Sequence, residues 1–268
     1  MSLRRLVRRF LPRRSHPLLD APISPTPRDA ELRARYAAAV ADEHDVFVTQ
    51  RFEEGLRWRE VVRTFQPDRP AVADAAAGSR PASRLEAGAP KVLDVGAGNG
   101  AIELAFSGDP DAYVVSVDAL WNATAAALGV RRVVADASAL PFRGEAFDTV
   151  LCLETIEHVP DPRAVAREVA RVAAHGAVVL VTTPAKWRYA FRPDPHFGIR
   201  GLTLFPPSLQ RSIAARRGFT GPHHFVDRIY ASVAQLRRVF AELTHVTTLT
   251  RDRAPGRWFW DAVVFRKR

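Results

Sequence analysis

The chain has 268 residues, 47% of them apolar, enough for a sizeable core, and no stretch approaches the roughly 20 uninterrupted apolar residues of a membrane-spanning helix. A single cysteine, Cys152, excludes an internal disulfide and any cysteine-cluster metal centre. The net charge of +10 is uneven: basic and acidic side chains number nine and three in residues 1–35, fourteen and twenty-one in 36–183, and sixteen and five in 184–268. Basic ends of this kind either attract polyanions or simply solvate an arginine-rich surface.

Residues 1–27 read as a basic, proline-rich, disordered tail, because Pro12, Pro17, Pro22, Pro25 and Pro27 interrupt any regular element. The tail lacks the apolar run and small-residue cleavage site of a secretory leader, so a cytoplasmic location is expected. Leu3, Leu6, Val7 and Phe10 at helical spacing among arginines would let residues 1–18 touch the anionic inner face of a membrane. Residues 28–90 read as a helical extension and linker: good helix formers over 28–65, in one or two pieces, then an Ala/Pro/Gly-rich stretch over 66–90.

From Lys91 the pattern alternates between strand and helix. KVLDV, AYVVSVD, VRRVVAD, FDTVLCLE and GAVVLVTTP read as strands, and DPRAVAREVARVAA is a clear helix between the last two. This order argues for an α/β domain over residues 91–268, with a parallel sheet covered by helices on both faces. After Pro184 comes an insertion, 184–230, rich in Pro, aromatic and basic residues. Helices are expected near 207–217 and 231–241, then two strand-like runs, THVTTLT and RWFWDAVVF, able to pair antiparallel.

The chemistry lies at the strand ends. VLDVGAGNG puts Gly96, Gly98 and Gly100 in a tight turn after the first strand, where a ligand can approach the backbone. The G-x-G-x-G spacing differs from the dinucleotide G-x-G-x-x-G. Asp118 ends the second strand, where a carboxylate can accept from ribose hydroxyls; alternatively it caps the next helix. Asp136 ends the third strand, placed to face an adenine amino group. Glu154 and His158 follow the fourth. Asp94, Gly96, Asp118, Asp136 and Glu154 all fall at or near carboxyl ends of strands, where open α/β sheets bind ligands.

Together VLDVGAGNG, VVSVD, VVADASALPF, FDTVLCLETIEHVPDP and GAVVLVTTP resemble the class I S-adenosylmethionine-dependent methyltransferases, in the branch that includes ubiquinone-biosynthesis and other small-molecule enzymes. The resemblance implies a Rossmann-like, seven-stranded, mostly parallel sheet whose final hairpin inserts an antiparallel strand, and S-adenosyl-L-methionine as cofactor. It places Gly96, Ala97, Gly98 and Gly100 against the methionine part with Asp94 beneath, Asp118 and Ala119 at the ribose, Leu120 and Trp121 flanking the adenine, and Asp136 with Ala137 at its edge. Glu154 to His158 would border the reactive end.

The acceptor side is then the aromatic, basic segment 183–207, which suits a small-molecule, glycan or lipid-linked acceptor and favours O-methylation. His196 is the first candidate general base and His158 the second, because an imidazole titrates near neutral pH; a structural role is equally compatible with either. His223 and His224 lack partner carboxylates, so no metal is expected. Two other functions fit parts of the pattern. The basic C-terminal region suits RNA methylation, although LETI stands where an amino-methylating N/D-P-P-Y/F would. A non-catalytic S-adenosylmethionine-binding partner protein would keep the cofactor motifs without an acceptor pocket.

Overall fold

The computed structural model describes residues 16–41, 46–66, 89–194, 197–218, 228–251 and 259–268. Seven strands, β1 (Lys91–Val95), β2 (Tyr113–Asp118), β3 (Arg132–Val134), β4 (Phe147–Leu153), β5 (Ala173–Thr182), β6 (Leu243–Leu249) and β7 (Ala262–Lys267), form one sheet of order β3-β2-β1-β4-β5-β7-β6. The first five are mutually parallel, and β7 runs antiparallel to both β5 and β6. The expected Rossmann-like sheet with an inserted antiparallel strand is therefore present.

Alternation along the strands divides the core. Val179 and Val181 of β5 join Leu93, Val95, Val150 and Cys152 on one face, while Val178 and Leu180 join Val92, Val114 and Leu151 on the other. The first face is covered by α6 (Pro162–Val172) and α9 (Val233–Val239). The start of α6 is fixed by Asp161, whose Oδ1 accepts from the N–H groups of Arg163 and Ala164 at 2.9 and 3.2 Å, with Pro162 in the first turn.

The second face is covered by the N-terminal helices α1 (Pro17–Asp20) and α3 (Val46–Phe65), together with α4 (Ala101–Phe106), and α2 (Pro27–Ala39) packs outside them on α3 and α4. The expectation of a disordered tail through residue 27 is corrected over residues 16–27. Pro17 and Pro27 each open a helix, where the missing N–H costs nothing. Leu19 is buried beside Trp58, and the His16 N–H donates to the Thr250 carbonyl at 2.8 Å. Residues 1–15, which carry most of the membrane-contact expectation, and 67–88, most of the expected linker, lie outside the described residues.

One buried ion pair ties this extension to the sheet domain. Arg59 of α3 holds Asp29 of α2 through two 2.7 Å hydrogen bonds and also donates to the Ala105 carbonyl of α4. Asp29 doubles as the capping-box partner of Thr26. Burial opposes ionisation of Asp29, but Arg59 and Thr26 outweigh it and hold its pKa at about 2.

The remaining elements are α5 (Ala123–Ala127), α7 (Lys186–Phe191), a short 3-10 turn at Leu202–Leu204 and α8 (Pro207–Arg216). Among the described residues, no helix is long and apolar enough to cross a membrane.

Candidate active site

A cleft of about 770 Å³ opens at the carboxyl ends of β1, β2, β3 and β4. Gly96 contributes from the turn after β1, Asp118, Ala119 and Leu120 from the end of β2, Asp136 and Ala137 from the loop after β3, and Glu154, Thr155 and His158 from the loop after β4. Among the described residues, no Lys or Arg lines it. Four loops meet here because parallel strands deliver their carboxyl ends to one edge of the sheet.

The three glycines of the turn have different jobs, although all take positive φ. A Cβ on Gly96 would overlap the side chain of Thr155, whose Oγ1 donates to the Val95 carbonyl at 3.0 Å; this glycine lets the β1 and β4 loops pack. A Cβ on Gly100 would press on Ala125 and Val130, each 3.2 Å away. A Cβ on Gly98 would meet nothing within 4 Å, so this glycine leaves space for a ligand. Gly98→Ala is therefore expected to cost only the left-handed backbone penalty, about 1–2 kcal/mol. Gly96→Ala adds steric overlap worth roughly 1–3 kcal/mol more. Urea denaturation of the two variants measures the difference, and equal stability would contradict this division of roles.

Asp118 closes the turn. Its Oδ2 accepts from the Gly98 N–H at 2.8 Å, its Oδ1 accepts from the Leu120 N–H at 2.9 Å, and Arg132 lies 3.3 Å away. The helix after it is capped by Asn122, whose Oδ1 accepts from the Ala125 N–H at 3.0 Å, so Asp118 is not that cap. Asp136 is exposed, and its Oδ1 accepts from the Ser138 N–H at 2.7 Å, which holds its pKa down.

Beneath the turn, Asp94 is fully buried, and its Oδ2 has no hydrogen-bond partner among the described residues. Burial raises its pKa to about 7, against the pull of Arg51 and Arg132. Glu103 beside it is raised to about 8, again mainly by burial. Both carboxyls bind a proton in the folded chain at pH values where the unfolded chain has lost it. The sign follows: the folded state holds more protons between about pH 4.5 and 8, so stability falls as pH rises through that window. Glu103→Gln is expected to flatten this decline, stabilising the protein by on the order of 2 kcal/mol at pH 8. Denaturation curves at pH 5 and pH 8 test it, and an unchanged slope would refute it.

The other end of the cleft joins Glu154, Glu157 and His158, which the sequence had placed there, to groups on α3 and α7. Glu154 sits at φ 53°, its N–H donating to the carbonyl and the Oγ1 of Thr182. Its pKa is raised by burial and by the charge of Glu54. Glu54 and Arg51 form a 2.7 Å ion pair on α3, so the N-terminal helix reaches the site. Tyr189 of α7 is also close to Glu154, its pKa pushed to about 12 by burial and that charge. Glu157 is wholly buried, 3.9 Å from His158 Nε2, and its carboxyl is held well above the usual range by burial and by Glu154.

The sequence-derived set thus largely comes together. Asp94, Ala97, Gly98 and Gly100 form or underlie the turn, while Gly96, Asp118, Ala119, Leu120, Asp136, Ala137, Glu154 and His158 line the cleft. Trp121 is 69% exposed and is not a lining residue. His196 lies outside the described residues. In segment 183–207, expected from the sequence to be the acceptor side, Phe197 packs with Leu202 and Ala214, Asp194 accepts from the N–H groups of Phe197 and Ile199, and Arg188 pairs with Asp261 at 2.9 Å. These three hold the segment together. Arg51 and Glu54 could have been found as charged residues continuing the otherwise apolar stripe of Trp58 and Val62.

Residues 93–181 match a family model described as "Methyltransferase domain". Among curated proteins, the ubiquinone biosynthesis O-methyltransferase of Pseudomonas aeruginosa (strain PAO1) is 33% identical over 104 residues, covering 35% of this chain and 44% of that protein. The norajmaline N-methyltransferase of Rauvolfia serpentina is 46% identical over 52 residues, covering 19% and 18%. The chain therefore spans less than half the length of these relatives. A solved SAM-dependent methyltransferase from Thermotoga maritima shares the fold at a TM-score of 0.50 and 16% identity, over 88% of this chain and 100% of that one.

Proposed function

We propose that this chain, whose core is a class I S-adenosylmethionine-dependent methyltransferase domain, transfers a methyl group from S-adenosyl-L-methionine to a hydroxyl of a small-molecule, glycan or lipid-linked acceptor. The observation that carries this reading is the charge of the cleft. Among the described residues it is lined by Asp118, Asp136, Asp161 and Glu154 and by no Lys or Arg, so it favours a ligand bearing a sulfonium and an ammonium and disfavours an anionic dinucleotide. Open space at Gly98 and the unpartnered Asp94 Oδ2 beneath the turn fit the same group.

The cofactor, once bound, supplies an electrophilic methyl. Asp118 has lone pairs left for ribose hydroxyls after accepting from Gly98 and Leu120, and Asp136 keeps Oδ2 for an adenine amino group. Leu120 and Val159 provide apolar walls. At the other end, Glu154, Tyr189 and His158 flank the space for the acceptor, with Arg51 and Glu54 of α3 beside them. His158 is the group we assign to take the acceptor's proton, since it lines the cleft and its Nε2 lies near the Glu157 carboxyl. The O-methyltransferase name of a relative supports oxygen as the methylated atom. Holding acceptor and methyl in line is the main service such a site performs, worth roughly 7–11 kcal/mol at its upper range.

Calorimetric titration with S-adenosylmethionine, S-adenosylhomocysteine and NADH tests this function. Binding of the two adenosyl ligands but not of NADH is expected. A folded protein that binds neither adenosyl ligand would overturn it.

A further inference from the structure

A second cavity, of about 630 Å³, lies behind the loop that forms the far wall of the cleft, between the start of α6 and α9. Its charge is the opposite of the cleft's. Arg163, Arg228 and Arg238 line it, from the first turn of α6, the chain just before α9 and the last turn of α9. Among the described residues, the one carboxylate in its wall, Asp161, already caps α6. Three guanidinium groups against one carboxylate give the described wall a net charge of +2.

Two features distinguish the cavity from a solvated arginine surface. Arg228 is held at both ends: its N–H donates to the Glu157 carbonyl at 3.1 Å, and its Nη2 donates to the Pro160 carbonyl at 3.0 Å. The wall residue Tyr230 is fixed in turn, its carbonyl accepting from the Lys186 N–H at 2.9 Å. By contrast, the guanidinium groups of Arg163 and Arg238 have no hydrogen-bond or ion-pair partner among the described residues. The result is one anchored and two uncommitted guanidinium groups around a cavity.

We propose that this cavity binds a phosphate group, a monoester or diphosphate, of a small ligand. A phosphate monoester is close to a dianion at neutral pH and matches the net +2, whereas a carboxylate would neutralise only half of it. Guanidinium groups bind phosphate oxygens in paired, charge-assisted hydrogen bonds. The Pro160–Pro162 stretch separates this cavity from the cleft, and Asp161 belongs to both walls. A phosphate held here therefore sits next to the loop carrying His158.

The test uses the full chain and inorganic pyrophosphate, titrated by calorimetry at low salt. Saturable binding is expected, weakened at least tenfold in Arg228→Gln/Arg238→Gln and unchanged in Arg216→Gln, which removes the same kind of charge from the end of α8. No saturable binding, or equal loss in Arg216→Gln, overturns the proposal. Phosphatidic acid vesicles in a parallel arm separate two sources of the group. Pyrophosphate-displaceable vesicle binding that needs Arg228 and Arg238 indicates a lipid headgroup; pyrophosphate binding without vesicle binding indicates a soluble metabolite. Cofactor titrations of the same variants should match the unaltered chain. A chain that binds pyrophosphate but no adenosyl ligand would sink the proposed function and leave this site standing.

Discussion

Asp118→Ala should lower affinity for S-adenosylmethionine about a hundredfold while leaving the sheet intact. The carboxylate ends β2 at the cleft, and each hydrogen bond from a ribose hydroxyl to a charged acceptor contributes roughly 1.5–3 kcal/mol. Losing two at the low end of that range costs about 3 kcal/mol, or two powers of ten. The same substitution also frees the Gly98 and Leu120 N–H groups and leaves Arg132 without its partner. Asp118→Asn separates the effects, because it keeps an oxygen for one backbone donor and removes the charge. Calorimetry on both variants, with urea denaturation alongside, reads affinity and stability independently. Undiminished affinity in Asp118→Ala would remove this residue from the cofactor site.

Arg59→Ala should be the most damaging substitution for stability, costing about 3–5 kcal/mol, because it strands a buried carboxylate. Asp29 is wholly buried, and the Arg59 guanidinium is only 3% exposed. Replacing both partners with apolar residues, as in Asp29→Leu/Arg59→Met, should recover part of the loss, since no lone charge then remains. The pH dependence has a definite sign. Asp29 titrates at about 2 in the folded chain, below its ordinary 3.8, so its contribution is complete above pH 4 and disappears as pH falls toward 2. That shift corresponds to about 2 kcal/mol. Denaturation curves between pH 2 and pH 5 should show the acid-side decline in the unaltered chain and its absence in the doubly apolar variant. A double variant as unstable as Arg59→Ala would contradict the stranded-charge explanation.

The parts of the fold legible in the sequence were those where one local rule dominates. KVLDV, VVSVD and LCL are short apolar runs because their strands are buried on both faces, and VGAGNG announces a turn that only glycine can make. Asp118 and Asp136 followed because each stands at the end of such a run. The prolines near the N-terminus misled for an equally physical reason. Proline breaks a helix interior but suits its first turn, and Thr26 with Asp29 was a capping pair visible in the sequence. The end of the cleft near Glu154 was less legible. Charged side chains on a helix usually face water, and only the packing of α3 against α4 turns Arg51 and Glu54 toward the cleft. Tyr189 and Glu154 meet there through elements more than thirty residues apart, a proximity no local pattern encodes.

The position of β7 also dictates when the molecule can become whole. The strand made of residues 262–267 lies inside the sheet, between β5 and β6, and Arg266 reaches across to the carbonyls of Gly176 and of Phe65 at the end of α3. While the chain is being synthesised, β5 therefore keeps an open, apolar edge, and β6 has no neighbour until residue 267 has left the ribosome. An unpaired edge of this kind invites pairing with other chains. A ribosome stalled some tens of residues short of that point would hold a nascent chain that already contains every cleft-lining residue, in a sheet that cannot yet close around them.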